Sequence, residues 1–253
     1  MSDEAIDHLG QPVDCASCAH RAMRDAGHCK PLHACVNDRY ARRIDRFFDW
    51  NPALANQYLT HPHFEVRAIA AKSADIFRLP ALLEDLDETV RWNALRRLPY
   101  RYLERFRADP HREVRIRVAS RLRIEDLAPM MRDQDYYVRL IVARRAPPAV
   151  LPLMIGDPEI AVRCTVAGRI GEAWLMRMAA DPEAAVRLEI ARRLTPTQLI
   201  WMRDDPDWRV RHEVATRIDR DRAETMLDDP DPLVREAAAA RLAPPDLNEE
   251  CGR

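Results

Sequence analysis

An all-α solenoid is the fold class this sequence predicts, and three observations carry that expectation. A Val-Arg pair recurs at a constant interval of 24 residues, beginning at Val66, Val90, Val114, Val138, Val162, Val186, Val210 and Val234. The eight copies contain no insertion or deletion, which is the signature of a chain built from units that bury their apolar faces against their neighbours. Around each Val, apolar residues recur at helical spacing, as in Val186, Ile190, Ala191 and Leu194.

Each unit has a common grammar. Asp stands five residues before the Val at Asp85, Asp109, Asp133, Asp157, Asp181, Asp205 and Asp229, with His61 as the exception. Pro follows it in most copies, with Leu86 and Gln134 departing. Asp is a good N-cap and Pro a good first helical residue, so the pair predicts the start of an α-helix of about 13 residues. Breakers such as Pro147-Pro148 and Thr195-Pro196 then interrupt the chain. Beyond them Leu recurs at Leu79, Leu103, Leu127, Leu151, Leu175, Leu199 and Leu247, followed three residues later by Leu82, Phe106, Met130, Met154, Met178, Met202 or Met226. An i, i+3 apolar pair in so short a segment fits one α turn or a 3₁₀-helix. The run of Met in that register reads as core packing.

Ahead of the repeats lies a cysteine-rich head. Cys15, Cys18, Cys29 and Cys35 have the spacing C-x2-C-x10-C-x5-C. Thiolates two residues apart reach one centre from a single turn, and two more complete four soft ligands. That donor set suits tetrahedral zinc or an iron–sulfur cluster, and the spacing leaves both open. His20, His28 and His33 lie among them and read as outer groups, because four thiolates already complete a site. Asp38–Trp50 predicts a helix with Tyr40, Ile44, Phe47 and Phe48 on one face, capping the first repeat. Asn51-Pro52 then breaks the chain, giving an expected division into a head at 1–50 and a solenoid at 51–253.

The composition narrows the functional classes. With 40 basic and 41 acidic residues the net charge is -1, so no global field recruits nucleic acid or an anionic membrane. No apolar run approaches the roughly 18 residues of a membrane span, and Met1–Gly10 lacks the basic and apolar regions of a signal peptide. Six cysteines without secretion point to metal or redox chemistry in a reducing cytoplasm. No nucleophile elbow, phosphate-cradling loop or H-E-x-x-H is present in the sequence, so the expectation is a protein that is not an enzyme.

The unit D-P-x-x-x-V-R-x-x-[VA]-A-x-R-L, preceded by four cysteines at this spacing, resembles the leucine-rich repeat variant family over nearly the whole chain. The resemblance implies a right-handed superhelical solenoid in which α- and 3₁₀-helices alternate, with a small N-terminal iron–sulfur module. It further implies a [4Fe-4S] cluster on Cys15, Cys18, Cys29 and Cys35, with zinc as the alternative. It supplies no biochemical role.

Two Arg positions remain. The one after each Val (Arg67, Arg91, Arg115, Arg139, Arg163, Arg187, Arg211 and Arg235) falls inside the arc of apolar positions, about 100° from the Val. A charge there must meet carboxylates or carbonyls, so these eight residues read as a structural ladder with the recurring Asp as partner. The second (Arg97, Arg121, Arg145, Arg169, Arg193, Arg217 and Arg241) lies at the edge of the face. It reads as a solvated or locally paired row, with phosphate binding as the alternative. Cys164 stands where other copies carry Ile116, Leu140 or Leu188, so it reads as a small hydrophobe, and Cys251 as an unliganded tail residue. The expected function is an iron–sulfur repeat protein, acting as a redox- or oxygen-responsive interaction scaffold for a protein partner or in electron transfer. Nucleic-acid binding through the Arg edge is the alternative.

Overall fold

The computed structural model describes residues 4–243, so Leu247 and Cys251 lie outside the described residues. The chain divides into two compact units, 1–122 and 123–253. The first contains the cysteine-rich head together with the first repeats, with helices α1 (Arg21–Asp25), α2 (Ala41–Trp50), α3 (Phe64–Ala70), α4 (Glu88–Leu95) and α5 (Arg112–Arg121). The second contains α6 (Tyr136–Arg145), α7 (Ile160–Arg169), α8 (Glu172–Met178), α9 (Ala184–Ala191), α10 (Trp208–Arg217), α11 (Arg220–Ala223) and α12 (Pro232–Leu242). Between the long helices lie 3₁₀ segments, among them Ile76–Glu84, Tyr100–Ala108, Pro148–Met154 and Leu199–Met202. At Glu172–Met178 the short segment is a regular α-helix instead. Among the described residues there is no β-strand, only the isolated bridges Ile6 to Pro12 and Lys30 to Ala34.

The long helices start later than the Asp-Pro pair predicts and run 7 to 11 residues instead of about 13. The recurring Asp does not cap the helix. In the fourth repeat, Asp133 accepts the N–H of Asp135 at 2.8 Å, and Asp135 is the N-cap, accepting from Tyr137 at 2.9 Å. The same step occurs at Asp85, Asp87 and Thr89. Such turns suit a short carboxylate that bonds the backbone two residues on. They leave the recurring Asp outside the helix, with its second oxygen facing the neighbouring repeat.

The core follows the register. The recurring Val is buried in every repeat, as are Leu79, Leu103, Leu127, Leu151, Leu175 and Leu199. Met130, Met154, Met178, Met202 and Met226 are buried too, so the Met row is core packing rather than an exposed binding strip. Cys164 is only half-buried.

Helix α2 begins three residues beyond the predicted start, because the Asp38 carboxylate accepts the Tyr40 N–H (3.0 Å) and pairs with Arg43 (2.8 Å) outside it. Its buried face is Ile44, Phe47 and Phe48, and α2 packs on α3. Tyr40, expected on that face, is exposed and carries the guanidinium groups of Arg39 and Arg43 over its ring, at 5.1 and 4.7 Å. A cation stacked on an aromatic face is worth about 0.5–1 kcal/mol at an exposed site.

Candidate metal centre

The local sequence brings the four cysteines together by three separate devices. Asp14 accepts the N–H groups of Ala16 (2.8 Å) and Ser17 (3.3 Å), a side-chain-closed turn that sets Cys15 and Cys18 on adjacent corners. The Arg21 N–H then bonds the Cys18 carbonyl at 3.0 Å and α1 begins. That helix stops at Gly27, in the left-handed region with φ 79°, and the His28 N–H reaches back to the Met23 carbonyl at 2.8 Å. A glycine here ends the helix without the cost a side chain would add, and the reversal delivers Cys29.

The spacing of the last pair is closed by a hairpin. Lys30 and Ala34 exchange both backbone hydrogen bonds at 2.8 Å. Cys29 and Cys35 therefore flank the bridge. The three-residue turn needs one left-handed position, which Leu32 occupies with φ 61°. Cys35 is fixed further by its N–H to the Arg43 carbonyl (3.1 Å).

The thiols share one environment. Cys29 and Cys35 are buried, Cys15 and Cys18 partly exposed, and no disulfide joins them. Burial, reinforced by Cys18 and Cys15, pushes the Cys29 thiol up. Burial holds the Cys35 thiol at about 11, with the Asn37 backbone N–H opposing and Cys29, Asp38 and Cys15 adding to the rise. Tyr58 completes the enclosure. Burial first, then the neighbouring Cys18, Cys35 and Cys29, raise its hydroxyl to about 12, so it stays neutral.

Donors point at the sulfurs. The His20 N–H and the Asn37 side-chain N–H each reach Cys18 Sγ at 3.4 Å. Arg24, paired with Asp25 at 3.2 Å, lies near Cys15. These donors suit thiolates, which are stronger acceptors than thiols. Among the described residues, no three His, Cys, Asp or Glu side chains converge closely enough to hold a single metal ion.

Three histidines lie among the cysteines, and each has partners of its own. His20 Nε2 bonds the Tyr58 hydroxyl, and its ring lies 5.3 Å from Phe47. Burial lowers the His20 pKa. The exposed His33 accepts from Arg46 at 3.0 Å and meets the Trp50 ring. His28 offers its carbonyl to Asn51 at 2.8 Å.

The residues that sequence reading missed are Asn37 and Tyr58. Asn37 follows Cys35 by two positions, and a short amide so close to a cysteine is a signal for a sulfur donor. Tyr58 stands 38 residues from His20 and carries no local signal.

The recurring Arg forms a ladder in each unit. Nε and Nη2 grip the Asp of the next repeat in Arg67–Asp85 and Arg91–Asp109 of the first unit, at 2.7 to 2.9 Å. Arg139–Asp157, Arg163–Asp181, Arg187–Asp205 and Arg211–Asp229 do the same in the second, at 2.7 to 3.1 Å. The remaining Nη1 serves two carbonyls of its own repeat, as with Arg187 to Asp181 (2.8 Å) and Pro182 (3.1 Å). Arg115 reaches the carbonyls of Asp109 (2.9 Å) and Pro110 (3.2 Å), and the exposed Arg235 those of Asp229 (2.6 Å) and Pro230 (3.0 Å). The second Arg row works across repeats too. Arg193 donates to Ala167 O and Arg217 to Ala191 O, each at 2.7 Å, and Arg241 to Ile218 O at 3.0 Å. Those acceptors lie at or near helix C-termini, where unpaired carbonyls and the helix dipole favour a cation.

Comparison with known proteins assigns both parts. Residues 5–57 match the family model described as the "LRV protein FeS4 cluster", and residues 136–159 match the leucine-rich repeat variant model. A solved structure described as a leucine-rich repeat variant with a novel repetitive structural motif superposes with a TM-score of 0.85 and 42% identity. That match covers 91% of this chain and 99% of the other. The chain belongs to the leucine-rich repeat variant family. A curated relative from Rhodobacter capsulatus, described as an uncharacterized 27.7 kDa protein in the nifB 3' region, is 48% identical over 101 residues. The aligned part is 40% of this chain and spans 41% of that relative's length. The chain is therefore a repeat protein of this family, a helical solenoid, whose head matches its iron–sulfur segment. Among the described residues, no helix is long and apolar enough to cross a membrane.

Proposed function

We propose that the head binds a [4Fe-4S] cluster through Cys15, Cys18, Cys29 and Cys35, and that the repeats present a surface to a protein partner. The observation that carries this reading is that the four thiols lie in one neighbourhood, three of them around Tyr58, with N–H donors aimed at Cys18 Sγ. The donor set is the one such clusters use. Zinc on the same four thiolates is the alternative. A bound cluster supplies one-electron chemistry and sensitivity to oxygen. The protein then acts as a redox- or oxygen-responsive scaffold or as an electron-transfer partner in the cytoplasm, without catalytic turnover of its own.

Nucleic-acid binding through the second Arg row has less support, since Arg193, Arg217 and Arg241 direct donors at backbone carbonyls. The test of the main reading is anaerobic purification with metal and sulfide analysis. About four iron and four sulfide per chain are expected. Stoichiometric zinc without sulfide would refute it. Changing any of the four cysteines to Ala should abolish the brown colour, and Cys164→Ala should not.

A further inference from the structure

Asn37 occupies a distinctive place at the thiols. Its side-chain N–H donates to Cys18 Sγ at 3.4 Å, and its backbone stands two residues beyond Cys35, where its N–H opposes the rise that burial gives that thiol. One residue thus stands beside two of the four sulfurs and donates to Cys18. Asn37 is also held in place by its neighbours. Val36 before it and Asp38 after it are each 1% exposed. Asp38 is clamped by Arg43 at 2.8 Å and accepts the Tyr40 N–H at 3.0 Å. The Asp38 N–H returns to the Cys35 carbonyl at 3.4 Å. The backbone cannot swing away from the sulfurs without breaking these contacts.

Hydrogen bonds to ligating sulfurs are among the factors that set the potential of an iron–sulfur centre. One electron added to a bound cluster leaves its cage with one more negative charge, and part of that charge resides on the sulfurs. An N–H donor stabilises the added charge and so favours the reduced state. The electron comes from a low-potential one-electron donor, and the step forms no bond, breaks none and moves no proton.

We propose that Asn37 is the positioning residue that raises the reduction potential of the centre by donating its side-chain N–H to Cys18. This inference rests on the cluster reading above. Asn37→Ala removes the donor to Cys18 and leaves the backbone in place. Asn37→Asp is nearly isosteric and replaces the donor with a negative charge.

The experiment is a mediated dithionite titration of anaerobically purified wild type, Asn37→Ala and Asn37→Asp, followed by electron paramagnetic resonance, with iron and sulfide counted in each. Both variants are expected to keep the wild-type iron and sulfide content and to show more negative midpoints, Asp more so than Ala. Unchanged midpoints in both variants with full iron and sulfide would overturn the proposal while leaving the cluster reading intact. Loss of the cluster from both variants, with helicity retained, would overturn it too, because Asn37 would then serve assembly rather than potential. Wild type without iron and sulfide would refute the cluster reading itself, and the inference falls with it.

Discussion

Replacing Arg187 by Ala should cost the second unit far more stability than replacing Arg193 by Ala. Arg187 is 8% exposed and donates to both oxygens of Asp205, at 2.7 and 2.8 Å, and to two carbonyls. Asp205 is itself 8% exposed, and its remaining bond is the Asp207 N–H at 2.8 Å. Truncating the Arg strands a buried carboxylate, which typically costs about 3–5 kcal/mol. Arg193 is half-buried and gives up one bond to the Ala167 carbonyl, about 1.5 kcal/mol for a charged donor. The expected difference is therefore about 2 kcal/mol or more. Arg187→Lys should fall between, since an ammonium cannot make the two-pronged bond. Because repeats can unfold in part, urea melts should be read alongside hydrogen exchange at Val186 and Val210. A double-mutant cycle with Asp205→Ala isolates the pair, and a coupling of about 2 kcal/mol is expected. Losses below about 1 kcal/mol for both Arg187→Ala and Arg193→Ala would show that the ladder does not hold the repeats together.

The ladder should also make stability fall in acid. Burial pushes Asp85 and Asp229 up, but the bonds from Arg67 and Arg211 and the N–H groups of Asp87 and Asp231 carry both below the usual 3.8. A depressed carboxylate stabilises the fold above its unfolded pKa and loses that contribution as pH falls through the folded one. The unfolding midpoint should therefore drop steadily below about pH 4, and Asp229→Asn should flatten that drop in the second unit. In cluster-free protein the opposite sign holds for Cys35, raised from 9.0 to about 11. Its contribution is present below pH 9 and lost as pH rises toward 11, so circular dichroism of the apo head should show it loosening in that window, and Cys35→Ser should remove the effect. Loss of the cluster should raise hydrogen exchange in residues 4–35 and at Tyr58, because metal binding supplies folding free energy to a segment poor in apolar groups. Exchange at Val210 should not change, and an even loss of protection through Arg241 would refute this local picture.

The repeat was legible because its register is set by short-range rules. A Val at a fixed interval with apolar residues at helical spacing predicts both the unit and its core, and Leu151, Met154 and Val162 are all buried. The helix starts were misread because Asp-Pro carries two physical meanings. Asp205 can cap a helix or close a turn, and the Asp two residues later competes for the same N–H groups. The tie is broken by the Arg of the preceding repeat, which lies outside the local sequence window. Tyr40 illustrates the same limit. Its spacing places it with Ile44 and Phe47, yet two neighbouring guanidinium groups give its ring a partner at the surface.

The head shows why a group of cysteines can be read from spacing while its surroundings cannot. Cysteine spacing is local, and each device that closes it is local as well: the Asp14 turn, the Gly27 reversal and the Lys30–Ala34 bridge. The groups that finish the site come from farther along the chain. Tyr58 belongs to the 3₁₀ segment Pro52–Tyr58 and bonds His20 across 38 residues. Lys72, after α3, pairs with Asp45 of α2 at 2.8 Å, and Asn51 holds the carbonyl of His28, next to Cys29. Head and first repeat are thus joined by side-chain bonds, His20 to Tyr58 beside the thiols and Lys72 to Asp45 across α2 and α3. A change in the charge of the cage acts on Tyr58 directly, through the same neighbours that already raise its hydroxyl to about 12. The first repeat is therefore where a change at the thiols reaches the solenoid, and later repeats feel it only through successive nearest-neighbour contacts, each of which dilutes it.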